Sequence, residues 1–216
     1  MLNGLSILII GSSHLAMPGY LITSLHDRLV KQGAQVHSIG VCGVTPSGWV
    51  TPTNGNCGGA ERSQNGPVKI TLGRAAATRP LAQLVEAERP NVVVVVMGDT
   101  IAGYDEPYFP KQWAARQVGT LTTTLESLAV RCVWVGPAWG ASAGRYGKTD
   151  ERVKLVSDYL TLNVKPCTYI NSLKMSRPGE WATEDGQHFT HASYKLWGEA
   201  IARELEKVLK QSTVQQ

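Results

Sequence analysis

Residues 91–97 read Asn-Val-Val-Val-Val-Val-Met, five consecutive valines followed at once by Gly98-Asp99-Thr100. A continuous β-branched run suits a strand buried on both faces, and such strands belong to parallel sheets covered by helices on either side. Working outward, the same kind of run recurs. Leu5 to Ile10 is apolar apart from Ser6, Gln35 to Val41 and Arg131 to Val135 are shorter versions, and Cys167 to Ile170 is a fifth. Helical patterns separate them. Gly19 to Gln32 sets Leu21, Leu25 and Leu29 at helical spacing with Gly33 as the stop, and Lys111 to Leu128, Asp150 to Leu162 and Thr190 to Lys210 follow. Strand alternating with helix predicts one α/β domain over residues 1–216. Its architecture is a three-layer, flavodoxin-like α/β/α sandwich around a parallel sheet of about five strands. Val44 to Pro67 is the one long irregular stretch.

Composition excludes several classes of function. Of 216 residues, 43% are hydrophobic and 18% charged, enough apolar material for a core and too much for a disordered chain. Lys and Arg number 21 against 17 acids, without a long basic run, so no phosphate-tracking stripe for nucleic acid is built. The longest apolar stretch, residues 91–97, falls far short of the roughly 20 residues that cross a bilayer. Near the N-terminus, Leu5 to Ile10 ends in Gly-Ser-Ser-His rather than a cleavage site, so it reads as a first strand. The chain is then either cytoplasmic or the product of removing a targeting segment. Four cysteines without a C-x-x-C pair predict neither a disulfide scaffold nor a thiolate metal cluster. Cys42 and Cys57 flank a Gly/Pro/Asn-rich loop and would bridge in an oxidising compartment, whereas Cys132 reads as a small buried hydrophobe.

Chemistry in a parallel α/β sheet gathers beyond the carboxyl ends of the strands. After the first strand comes Gly11-Ser12-Ser13-His14, where the serines serve equally as turn residues or as a hydroxyl presented at a corner. After the second comes Gly40-Val41-Cys42-Gly43, with glycines that let a backbone N–H approach a ligand. Just before the last helix stands Asp185-Gly186-Gln187-His188. A carboxylate two residues removed from an imidazole can fold back, accept its N–H and so fix it as a general base for a serine. Taken alone, His188 serves as well as a helix cap. Taken with the serine and the small residues after the other strands, it completes a set for acyl transfer.

These blocks, in this order from Ile7 to Ile201, resemble the SGNH (GDSL-like) hydrolase superfamily. The resemblance implies Ser13 as nucleophile, His188 as base and Asp185 as its support. It implies an oxyanion hole made by Ser13, Gly43 and Thr100, and it calls for no cofactor and no metal. Two positions depart from the family pattern. Ser12 stands where Asp is usual before the nucleophile, and Thr100 stands where the family has an Asn that donates to the oxyanion. Trp49, Trp139 and Tyr108, with His14, are expected to line the substrate side, because aromatic faces on loops suit the apolar face of a sugar ring. The function so predicted is a serine esterase taking small acyl groups, O-acetyl above all, from a carbohydrate or polysaccharide. Its rivals are an O-acetyltransferase using the same triad and a catalytically degenerate glycan-binding member. By family habit the compartment is the periplasm or cell exterior.

Overall fold

The computed structural model describes residues 2–141 and 146–211, and in them the valine run lies within a seven-stranded sheet. In chain order the strands are β1 (Ser6–Gly11), β2 (Gln35–Val41), β3 (Gly59–Ser63), β4 (Lys69–Thr71), β5 (Val92–Val96), β6 (Arg131–Val135) and β7 (Thr168–Ile170). Across the sheet the order is β4-β3-β2-β1-β5-β6-β7. The five strands anticipated from the sequence, β2-β1-β5-β6-β7, pair in parallel. The difference lies at one edge. β3, from the region expected to be irregular, pairs antiparallel to β2, and β4, just beyond that region, pairs antiparallel to β3. Little in the sequence announces this edge, because Gly-Ala-Glu-Arg-Ser is short and bears two charges, and β4 is only three residues long and exposed throughout.

Alternation along the strands divides the core in two. Ile7, Ile9, Val92, Val94, Val133 and Val135 meet α1 (Leu21–Lys31) and α6 (His191–Gln211) through Leu21, Leu25, Tyr194 and Trp197. Leu8, Ile10, Val93, Val95 and Trp134 face the opposite layer, with α2 (Leu81–Glu88), α4 (Lys111–Ser127) and α5 (Asp150–Asn163) supplying Leu84, Leu121 and Leu160. Every valine of β5 is buried because both of its faces are claimed. A short helix, α3 (Asp99–Ala102), begins directly after that strand.

β1 has β2 on one side and β5 on the other, so the chain order reverses there and a crevice opens beyond the carboxyl ends of these strands. The cysteines correct the sequence expectation. Cys42 is bridged to Cys57, and Cys132 is bridged to Cys167 rather than being a free buried thiol. Strand register explains the second bridge: Val133 pairs with Thr168, which sets the preceding residues of β6 and β7 side by side.

Candidate active site

Ser13 opens a single 3-10 turn, Ser13–Leu15, directly beyond β1. Two glycines make room for it. A Cβ on Gly11 would press on the Val96 carbonyl and the Leu15 side chain, and one on Gly40 would collide with the Leu15 backbone. The turn is closed by Leu15 N–H donating to the Ser12 carbonyl at 3.0 Å, while the Ser12 side chain caps nothing. Ser13 is thereby fixed at the floor of a cavity of about 700 Å³, whose wall also includes Gly43, Asn56, Thr100, Tyr104, Tyr146, Arg152 and His188.

The opposite partner comes from the loop before α6. Glu184 N–H donates to the His188 carbonyl at 2.8 Å and Thr190 N–H to the Ala182 carbonyl at 3.1 Å, folding residues 182–190 back on themselves with Gly186 at φ +88°. Inside this fold one oxygen of Asp185 accepts the backbone N–H groups of Gln187 (3.0 Å) and His188 (2.7 Å). Its other oxygen meets His188 Nδ1 at 2.7 Å. Burial works to raise the Asp185 pKa, but these N–H donors outweigh it and hold the carboxyl below its ordinary value. The proton of His188 therefore sits on Nδ1. Nε2 is shielded from solvent and has no hydrogen-bond partner. Ser13 and His188 line one cavity without a hydrogen bond to this nitrogen, an arrangement common before substrate binds.

A second Asp–His pair lies beneath the first. His14 Nε2 meets an oxygen of Asp99, and His14 Nδ1 lies 2.8 Å from the Tyr194 hydroxyl. The other oxygen of Asp99 is 2.8 Å from Lys148 Nζ, with both side chains almost wholly buried. Burial lowers the His14 pKa against the pull of Asp99, with Lys148 and His188 lowering it further. The Asp99 carboxyl is pushed up by burial but held well below its ordinary value by Lys148 and His14. His14 is thus a neutral imidazole donating to Asp99 and accepting from Tyr194. With both nitrogens engaged, it has no lone pair left for a serine proton.

Of the residues singled out from the sequence, the cavity gathers Ser13, Gly43, Thr100 and His188 on its wall, with Asp185 bonded behind His188. The Thr100 hydroxyl, however, is buried and without a partner. The aromatic expectations lie elsewhere. Trp49 is completely buried in the core beside Val44 and α4, because the 3-10 turn that carries it packs down on that helix. Trp139 spends its indole N–H on the Leu173 carbonyl, and Tyr108 projects into solvent, 82% exposed. His14 is under the site rather than on its wall. The rings at the cavity are instead Tyr104 and Tyr146, the latter edge-on to His188 at 5.4 Å. Arg152 and Lys148 also escaped the sequence reading. Arg152 has a visible signal, a cation in the first turn of α5 where acids are favoured; its guanidinium lies 4.3 Å over Tyr104. No group of three or more His, Cys, Asp or Glu side chains among the described residues is arranged to hold a metal ion. No helix among them is long and apolar enough to cross a membrane.

No family model matches the sequence. Protein BcsX of Komagataeibacter xylinus is 41% identical over 213 residues, 96% of this chain and 80% of that protein. Solved structures with the same fold include GDSL-like and SGNH hydrolases. A carbohydrate esterase family 3 structure from Talaromyces cellulolyticus superposes with TM-score 0.65 at 9% identity, covering 96% of this chain and 99% of that one. A peptidoglycan O-acetylesterase superposes with TM-score 0.57 at 14% identity, covering 97% and 92%.

Proposed function

The chain belongs to one family with Protein BcsX of Komagataeibacter xylinus and has the fold of the SGNH (GDSL-like) hydrolases, and from that premise we propose that it is a serine esterase removing O-acetyl or similarly small acyl groups from a carbohydrate. The observation that carries the proposal is the Asp185–His188 pair, in which Nε2 is unengaged and the histidine lines the same cavity as Ser13. Ser13 Oγ attacks the ester carbonyl while its proton passes to His188 Nε2. Asp185, already bonded to Nδ1, steadies the imidazolium that results. The N–H groups of Ser13 and Gly43 face the oxygen that takes up negative charge, Thr100 lying nearby. Collapse releases the alcohol with the proton from His188. Water then repeats the attack on the acyl-enzyme and restores Ser13.

A cavity of about 700 Å³ is far larger than an acetyl group needs, so most of it serves the alcohol portion. Its hydroxyl, amide and aromatic lining suits a sugar. The names borne by the fold relatives, a carbohydrate esterase and a peptidoglycan O-acetylesterase, support the same class. Two disulfides support an oxidising compartment, periplasmic or extracellular, since glutathione and thioredoxin keep cytosolic thiols reduced. The test is Ser13→Ala assayed on p-nitrophenyl acetate and on acetylated oligosaccharides, with fluorophosphonate labelling of the wild type. Loss of hydrolysis at an unchanged Tm is expected, and retention of most activity would remove Ser13 from the mechanism. Acetate appearing on an added sugar rather than in water would move the assignment to acetyl transfer.

A further inference from the structure

A tetrahedral intermediate on Ser13 needs donors already aimed at its oxygen, and such donors come from backbone N–H groups and from side-chain amides or hydroxyls. The Thr100 hydroxyl is badly placed for this. It is sealed from solvent and unpartnered, so no atom the size of an oxyanion reaches it from the cavity.

Two carboxamides lie on the cavity wall. Gln187 adjoins the base, whereas Asn56 adjoins Gly43. Gly43 has φ +83°, and a Cβ there would run into the Asn56 amide, so this side chain occupies the space directly over the glycine. Its position is held from both sides. The Cys42–Cys57 bridge joins the residue before Gly43 to the residue after Asn56. Asn56 N–H donates to the Cys42 carbonyl at 3.1 Å, and Cys42 N–H to the Gly58 carbonyl at 2.8 Å. An exposed loop amide is thereby pre-positioned beside a backbone N–H of the reacting site.

We propose that the Asn56 carboxamide is the side-chain donor of the oxyanion hole, acting with the N–H groups of Ser13 and Gly43; the proposal rests on the serine-esterase reading. As the Ser13 Oγ–carbon bond forms, the carbonyl π pair moves onto oxygen, the serine proton goes to His188, and the new charge accepts the N–H of Asn56 Nδ2. When the intermediate collapses, that pair re-forms the carbonyl, the bond to the alcohol breaks, and the alcohol leaves with the proton from His188.

The experiment compares Asn56→Ala with Thr100→Val, using Ser13→Ala as the blank and fluorophosphonate labelling of the wild type to establish an activated serine. Asn56→Ala should lower kcat about 10²–10³-fold with KM within about threefold, the signature of a bond made only in the transition state. Affinity for a boronic acid that forms a tetrahedral adduct on Ser13 should fall in step with kcat, which a merely structural role of the loop would not produce. Thr100→Val should keep kcat within about threefold. The proposal is overturned if Asn56→Ala keeps kcat within that margin, or if Thr100→Val shows the large loss instead. Absence of both labelling and hydrolysis in the wild type would sink the esterase reading itself, and this assignment with it.

Discussion

Asp185–His188 and Asp99–His14 are two carboxylate–imidazole pairs whose rings lie 5.4 Å apart, and they are built for opposite ends. The first is half-open, with its carboxylate 29% exposed and its outer nitrogen unengaged. The second is sealed: both nitrogens are bonded, and the carboxylate is matched by a buried lysine. Chemistry needs a lone pair and a proton that can move; a scaffold needs its charges and its ring nitrogens held in fixed pairs. Adjacency to Ser13 in sequence is therefore a poor guide to which imidazole keeps an unengaged nitrogen. His14 follows Ser13 directly, yet the unengaged nitrogen belongs to the residue 175 positions downstream of Ser13.

The largest expected effect is on turnover. His188→Ala should lower kcat by about 10³-fold or more at an unchanged Tm, and Asp185→Asn by up to about 10⁴-fold, because the imidazole loses its fixed tautomer. A variant His14→Gln that lost turnover as completely at an unchanged Tm, with His188→Ala still active, would exchange the two roles.

Next comes stability, where the order inverts. Asp99→Asn leaves Lys148 buried without a counter-charge and should cost about 3–5 kcal/mol. At about 2–4 °C per kcal/mol for a chain of this size, a thermal melt should show a fall of about 10 °C. The partly exposed Asp185 should cost less than about 1 kcal/mol when replaced by Asn. Equal losses of Tm would erase the distinction between scaffold and site.

The smallest effect is on pH dependence. His14 is held neutral chiefly by burial, as is His26, which bonds Ser38 and the Gln64 carbonyl. Both folded pKa values lie below the unfolded 6.5, so the unfolded chain binds the extra protons and stability falls as pH drops below about 6.5. The slope is at most about 1.4 kcal/mol per pH unit for each imidazole. Asp99 and Asp185, lowered instead, keep their contribution until pH falls below the ordinary carboxylate range. Denaturant midpoints between pH 7.5 and 5 should therefore decline in the wild type and decline less in His26→Gln. A flat profile would mean that these imidazoles take up protons without opening the fold.

The parts legible in the sequence are those whose cause is local or periodic. Five parallel strands announce themselves because strands buried on both faces must be apolar throughout. The Asp185–His188 pair is legible because only two residues, Gly186 and Gln187, separate its members. The Asp99–His14–Lys148 cluster is not, being assembled from three loops with 85 positions between His14 and Asp99 alone. Nor was the fate of the tryptophans, since an aromatic in a loop looks the same whether the loop folds inward, as at Trp49, or outward, as at Tyr108. The β3–β4 edge stayed hidden because strands of five and three residues, one charged and the other exposed throughout, carry too little apolar pattern to show a period.

The two disulfides bracket different pieces of the molecule from those that hold the triad. Residues 42–57 contain Gly43, Thr45 and Asn56, and residues 132–167 contain Tyr146, Gly147 and Arg152, all parts of the cavity wall. Ser13, Asp185 and His188 lie outside both brackets. Protein made in a reducing host would lack both clamps, leaving Gly43, Asn56, Tyr146 and Arg152 held by packing and hydrogen bonds alone. Under the mechanism proposed above, such a preparation should lose turnover and phosphonate labelling together, through Gly43 and Asn56, while Asp185 and His188 stay paired.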